Sequence, residues 1–291
     1  MRINKNDKIL FIVSDYGSRN IILSLIKINK LKKYQIYDLK KINNKKIYNT
    51  NYDFIIIGSG IFDFKKINFI KKINSKNTKI YLILDHWLGF KQRTKFNKYF
   101  KKNISHILVS DIQVNKKLKK NLGFKNIKKI KNYFIHDQIN KSKSIKINKK
   151  FDFLYIDDPG SYCENINDRK KILNISFKNL LEVLDVYYKK SKKKIKLLIR
   201  PHPSQRSLEL FKKNIRLKLN NSKYEIKFSR KGDLLEEIIK SKYIFGMQSS
   251  ALILSQKLKK KTYCCVPKKF LNRYSKLNLV RKQHTDFLRE I

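Results

Sequence analysis

The sequence predicts an α/β protein of two doubly wound, Rossmann-like domains, each a parallel sheet with helices on both faces. Three observations predict it. Short, continuous apolar runs of strand length recur along the 291 residues, most close on a turn built from Gly, Ser, Asp or His, and a helical pattern follows before the next run. Parallel strands need crossover connections, and the crossover helices bury the sheet on both sides, so the strands read as unbroken apolar runs. The alternation breaks once, over 132–150, and then restarts.

In the first half, residues 8–13 (K-I-L-F-I-V) form a strand, followed by Ser14-Asp15-Tyr16-Gly17-Ser18 and a helical pattern through Leu25. Further strand-sized runs lie at 34–39, 54–57, 79–84 and 106–109. The last three close on Gly58-Ser59-Gly60, Asp85-His86-Trp87 and Ser110-Asp111. The polar, lysine-rich stretch 132–150 has no clear periodicity and reads as an interdomain connection, which gives an N-terminal domain over 1–140 and a C-terminal domain over 150–291. In the second half, strands at 151–156, 195–199, 224–228, 243–245 and 262–266 alternate with helices around 169–188, after Ser204, around 234–239 and after Ser249.

A net charge of +48 suggests a polyanionic partner, because a basic surface neutralises phosphates and releases their counterions. Arginine supplies only 11 of the 70 basic residues, however, and the lysines accompany heavy use of Asn, Ile, Tyr and Phe, all encoded by A/T-rich codons. Base composition accounts for that pattern more simply than function does. The lysines are spread along the chain, so no specific nucleic-acid partner is expected; peripheral contact with an anionic membrane stays open, since the same long-range field attracts acidic lipids. Cys163, Cys264 and Cys265 have no metal-ligand spacing, and adjacent cysteines rarely bridge, which fits a reducing compartment. The N-terminus is polar and no apolar segment approaches the roughly 18–20 residues needed to span a bilayer, so the expected location is cytoplasmic, at most peripheral at the inner membrane face.

Neither half carries G-x-G-x-x-G or a P-loop. Gly58-Ser59-Gly60 lacks the third glycine, because position 63 is Asp63, and reads as a tight strand-to-helix turn. Ligands of open α/β sheets sit beyond the carboxyl ends of the strands, so the loops after strands are where chemistry is expected.

Three such loops stand out. In Arg200-Pro201-His202-Pro203-Ser204 the two prolines fix the backbone on both sides of His202, which can then donate to a phosphate, and Arg200 adds a fork-shaped donor. The alternative is a rigid turn in which His202 only caps the next helix. In Gly246-Met247-Gln248-Ser249-Ser250 the glycine permits close backbone approach, and the two hydroxyls stand where helix amides can bind an anion; serine is also simply a favoured N-cap. The third loop is Leu84-Asp85-His86-Trp87. His106, His136 and His284 belong to no constellation and read as structural or surface residues.

His202-Pro203 followed by Ser249-Ser250 opening a helix resembles the bacterial sialyltransferases, polysialyltransferases and related capsule and lipopolysaccharide transferases, over roughly the last 140 residues. The resemblance implies a GT-B fold whose C-terminal domain binds the nucleotide of a CMP-activated sugar through His202-Pro203 and Ser249-Ser250; Arg200, Pro201, Gly246 and Gln248, which share those two loops, are read with them as donor-binding. Asp85-His86-Trp87 is similar to a stretch of polysaccharide-assembly proteins of this kind. Those families also carry an acidic motif holding the catalytic base, normally in the N-terminal domain. The nearest string here, Asp157-Asp158-Pro159-Gly160, contains an inserted proline and follows the first strand of the second domain, so Asp157 and Asp158 are placed on the donor side. Asp85 ranks first as base, with His86 and Asp15 behind it; Asp85 as a helix cap is the alternative.

Sugar transfer needs a base for the acceptor hydroxyl and positive potential for the departing phosphate. The implied reaction is an inverting, metal-independent transfer of a nonulosonic acid from a CMP-sugar to a glycan or glycolipid acceptor, with no cofactor besides the donor. The alternatives are another GT-B enzyme with a UDP- or CDP-linked donor, including a glycerophosphotransferase or a nucleotide-sugar epimerase, or a basic nucleic-acid- or membrane-binding module.

Overall fold

The computed structural model describes residues 3–13, 16–38, 51–58, 78–84, 103–110, 126–158, 166–203, 207–219, 222–229, 232–247, 249–267, 270, 280 and 282–291. The chain divides into two compact units, Met1–Asp137 and Gln138–Ile291. Each holds one parallel sheet, as the alternating pattern predicts.

The first unit contains β1 (Ile9–Val13), α1 (Tyr16–Ile28), β2 (Tyr34–Asp38), β3 (Phe54–Gly58), β4 (Lys79–Leu84), β5 (His106–Val109) and β6 (Ile127–Lys129). The strands order as β2-β1-β3-β4-β5-β6. All five residues of β1 are buried because neighbours flank it on both sides, whereas β2 at the edge buries only Tyr37. Helix α1 buries Ile21, Ile22, Leu25 and Ile26 at helical spacing. It also lies close to β3 at Gly58, where a Cβ would stand 2.3 Å from the Cβ of Ser18. A side chain at position 58 would therefore force the helix off the sheet.

The stretch 132–150, expected as an aperiodic connection, holds a helix, α2 (Tyr133–Ser142), and the division between the units falls inside it. Asn132 starts the helix by accepting the Ile135 N–H on its carboxamide oxygen at 3.1 Å. Buried Asp137 pairs with Lys27 of α1 at 2.9 Å. Tyr133 and Phe134 pack against the core of the first unit, but two adjacent aromatic residues and two polar contacts make no helical period. Strand β6 (I-K-K) was likewise unforeseen, since a short, solvated edge strand has no apolar run.

The second unit contains β7 (Phe151–Ile156), α3 (Ile166–Ser191), β8 (Ile195–Arg200), α4 (Leu208–Lys218), β9 (Tyr224–Phe228), α5 (Leu234–Lys240), β10 (Ser241–Gly246), α6 (Ser250–Lys257), β11 (Lys261–Cys264) and α7 (His284–Glu290). Its sheet order is β11-β10-β7-β8-β9, all pairs parallel. Helix α3 turns Ile172, Phe177, Leu180, Val183 and Leu184 onto the sheet. On the same core, Phe287 of α7 is fully buried among Phe153, Tyr243, Phe245 and Tyr263, with ring centroids 5.9, 4.9, 5.2 and 5.2 Å away. Edge-on aromatic pairs of this kind add about 0.5–1.5 kcal/mol each beyond their buried area.

Among the described residues no helix is long and apolar enough to cross a membrane.

Candidate functional site

In the second unit the first strand, β7, lies between the second, β8, and the fourth, β10. The chain order therefore reverses at β7, and the crevice above a reversal is where open parallel sheets bind ligands. Register makes this concrete: Gly246 of β10 is paired with Ile156 of β7, which is paired with Arg200 of β8. The three loops that follow, carrying Ser249-Ser250, Asp157-Asp158 and His202, leave one edge from neighbouring positions. With strands about 4.8 Å apart, the two outer loops start roughly 10 Å from each other.

Gly246 is what lets β10 and β7 close up there. A Cβ on it would lie 2.6 Å from the Ile156 carbonyl oxygen and 3.3 Å from the Ile156 Cβ. The close approach expected of this glycine is thus to the neighbouring strand.

Asp157 and Asp158 are both buried at the end of β7. The backbone N–H of Asp157 donates to the Arg200 carbonyl at 2.9 Å, extending the β7–β8 ladder by one residue. Its carboxylate accepts the backbone N–H groups of Asp158 and His202. Burial raises the Asp157 pKa to about 6, and those two hydrogen bonds only partly offset it. The His-Pro loop is therefore held to β7 by a carboxyl group that titrates just below neutrality. His202 itself is half-buried, and that burial lowers its pKa, so at neutral pH it presents an uncharged imidazole with one N–H to donate. Pro201 is half-buried and Pro203 exposed.

The Arg200 guanidinium points along the sheet to the β9–α5 connection. Its Nη1 donates to a Glu237 carboxylate oxygen at 2.6 Å and to the Gly232 carbonyl at 2.9 Å, and lies 3.4 Å from the Ser229 hydroxyl. The Ser229 hydroxyl in turn donates to Glu237. Gly232 makes room for this carboxylate, since a Cβ there would stand 2.2 Å from Glu237 Oε1. One nitrogen of the guanidinium, Nη1, is thus already engaged by a buried acid. Ser229, Gly232 and Glu237 escaped the sequence reading; the one signal was a second glutamate on the face of L-L-E-E-I-I-K that also buries Leu235, Ile238 and Ile239.

Ser249 is the N-cap of α6: its hydroxyl oxygen accepts the Leu252 N–H at 3.2 Å and its carbonyl accepts the Ile253 N–H at 3.1 Å. The hydroxyl proton is not used by that bond, and the first-turn amides before Leu252 have no intrahelical partner. Ser250 is exposed at the first helical position. Behind this loop Met247 is fully buried, and Cys265 N–H donates to the Gly246 carbonyl at 2.8 Å.

Gln248, Asp15, Asp85 and His86 lie outside the described residues, as do Pro159 and Gly160. Of the other histidines, His106 stacks on Tyr81 with centroids 5.5 Å apart and has its pKa lowered by burial, His136 is exposed, and His284 is buried at the start of α7. Among the described residues no three His, Cys, Asp or Glu side chains are grouped as metal ligands.

The fold is shared with solved enzymes. UDP-GlcNAc 2-epimerase from Methanocaldococcus jannaschii in complex with UDP-GlcNAc and UDP is 13% identical, with a TM-score of 0.60 over 88% of this chain and 83% of that one. A second structure of that epimerase gives a TM-score of 0.58 at 13% identity, over 98% and 92% of the two chains. The wall teichoic acid polymerase TagF, as a variant soaked with CDPG, is 12% identical with a TM-score of 0.51, over 88% of this chain and 69% of that one. At these identities the likeness is one of fold: the chain has the GT-B fold, two doubly wound parallel-sheet units in succession. No protein-family model and no curated protein matches the sequence.

Proposed function

We propose that this GT-B chain binds the nucleotide of an activated sugar at the β10–β7–β8 edge of its C-terminal unit and acts as an inverting, metal-independent glycosyltransferase. The donor in this reading is a CMP-linked nonulosonic acid of the sialic, pseudaminic or legionaminic type, and the acceptor a surface glycan or glycolipid. One observation carries it: the His202 loop and the Ser249-Ser250 loop, 47 positions apart in sequence, leave the ends of the two strands that flank β7, on either side of the topological reversal. The spare proton of Ser249, the hydroxyl of Ser250, the α6 amides and the neutral His202 N–H supply donors for a phosphate. Asp157 positions the His202 loop, and Arg200 anchors the same loop through Glu237.

In the transfer step an acceptor hydroxyl attacks the anomeric carbon, the bond to the CMP phosphate breaks, and the acceptor proton passes to a base. Asp85 is the first candidate, ahead of His86 and Asp15. Donors fixed around the departing phosphate stabilise its charge without reorganising during the reaction.

A second reading keeps the architecture and changes the donor to a UDP- or CDP-linked one, as in an epimerase or a glycerophosphotransferase. The fold neighbours favour it, since one is a complex with UDP-GlcNAc and UDP and another was soaked with CDPG. Thermal shifts with CMP, CDP, UMP, UDP and GDP separate the two, because a ligand bound only by the folded state raises stability by RT ln(1 + [L]/Kd). The largest shift is expected with CMP. A shift with UDP or CDP and none with CMP replaces the first reading by the second, and no shift with any of them refutes both.

A further inference from the structure

Parallel topology sends every strand start, and the end of every covering helix, to the edge of the sheet opposite the proposed nucleotide site. Lysines scattered in the sequence meet there. Lys149 and Lys150 precede β7, Lys193, Lys194 and Lys196 surround the start of β8, and Lys242 lies at the start of β10; these six line one surface basin of about 340 Å³. They come from three separate segments, brought together by the neighbouring strands β10, β7 and β8.

The local balance of charge is strongly positive. The one acid in the basin is Asp152, whose carboxylate is already an acceptor for the Lys196 backbone N–H at 2.9 Å. Helices α3 and α5 end beside it, and a helix C-terminus contributes about half a negative charge. Six ammonium groups against one carboxylate and two helix ends leave an excess of about +4. Among the described residues none of the six has a carboxylate within 4.0 Å. Glu225, which Lys194 and Lys196 influence at longer range, is already paired with Lys227 at 3.1 Å. Nearby, the Lys260 pKa is lowered by burial and then by the charge of Lys149.

One feature bears on the kind of polyanion. The all-lysine make-up of the basin does not, because it follows the chain's own bias, in which arginine supplies only 11 of the 70 basic residues. Ile147, two residues before Lys149 in K-I-N-K-K, is 76% exposed. An exposed aliphatic side chain adjoining a basic segment suits the boundary between headgroups and acyl chains.

We propose that this strand-start edge of the C-terminal unit is a docking surface for anionic lipid headgroups, with Ile147 entering the headgroup layer. The proposal does not rest on the nucleotide site. Flotation of the full chain with phosphatidylcholine vesicles, with and without phosphatidylglycerol, tests it. Binding is expected only to the anionic vesicles, and joint replacement of Lys149, Lys150, Lys193 and Lys194 by Gln weakens it at least about tenfold. Joint replacement of Lys170, Lys171, Lys178 and Lys213 by Gln, which removes the same charge from α3 and α4 away from this edge, changes it by less than about threefold. Ile147→Ser weakens vesicle binding about threefold. Circular dichroism reports folding of each variant, and the Lys193→Gln, Lys194→Gln pair substitutes for the fourfold variant should that one unfold. Equal losses in the two fourfold variants, no dependence on phosphatidylglycerol, full vesicle binding by Ile147→Ser, or displacement from vesicles by RNA at physiological salt each overturns the proposal.

Discussion

The carboxylate of Asp157 accepts the backbone N–H of His202, so the loop expected to touch the nucleotide phosphate is held by an acid buried at the end of the neighbouring strand. Its pKa is raised from 3.8 to about 6, so the folded state holds this proton more tightly than the unfolded state. Stability from this group is fully present below the unfolded pKa and is lost as pH rises to about 6. Asp157→Asn keeps an acceptor oxygen and never ionises. It should therefore be more stable than wild type by on the order of 3 kcal/mol above neutrality, with the difference vanishing toward pH 4. Urea unfolding at several pH values measures this, and a constant difference across that range contradicts the buried-acid reading.

His202→Ala, and Ser249→Ala with Ser250→Ala, should each weaken CMP binding at least about tenfold, as expected for hydrogen bonds to a charged phosphate. The two serines differ in a second respect. Ser249 caps α6 through Leu252, so Ser249→Ala alone should cost about 1 kcal/mol of stability, whereas Ser250→Ala should cost little. Calorimetry and denaturation on the same samples separate the effects, and full CMP affinity in both donor-site variants refutes the assignment.

Glu237→Ala should destabilise the C-terminal unit by about 2–4 kcal/mol, because it leaves the Arg200 guanidinium and the Ser229 hydroxyl without their shared acceptor. Gly232→Ala should act through the same carboxylate, since its Cβ would stand 2.2 Å from Glu237 Oε1. Additive losses in the double variant would contradict a shared network.

Asp85→Asn should lower turnover while CMP affinity stays near that of wild type, because a base acting on the acceptor contributes in the transition state and not to nucleotide binding. Turnover should also survive EDTA. Restoration by Mg²⁺ or Mn²⁺ after its loss in EDTA would move the phosphate-neutralising role from protein donors to a metal.

The interior of both sheets was legible in the sequence for a physical reason. Strands β4 and β7 are buried on both faces, so their apolar runs coincide with their observed bounds. Helix α7 buries His284 and Phe287, too few positions for periodicity to register, and β6 is nearly all lysine. The loops carrying His202 and Ser249-Ser250 were legible as strand-end loops because parallel topology brings the carboxyl ends of all strands to one edge. Their wiring was not: the acid that Arg200 finds is 37 positions away, and nothing local to R-P-H-P specifies it. The serine at the start of α6 was legible in both of its capacities, as cap and as anion donor, and the structure establishes the first.

Phe287 also sets a condition on how the chain is made. A ribosome adds residues in order, so the strands from β7 to β11 are all synthesised before the ring that packs on Phe153, Tyr243, Phe245 and Tyr263. Contacts between segments this far apart form late and leave apolar surface open in the meantime. A chain that stops between Cys265 and His284 therefore lacks the ring that touches all four, and its aromatic cluster is left open where α7 would cover it.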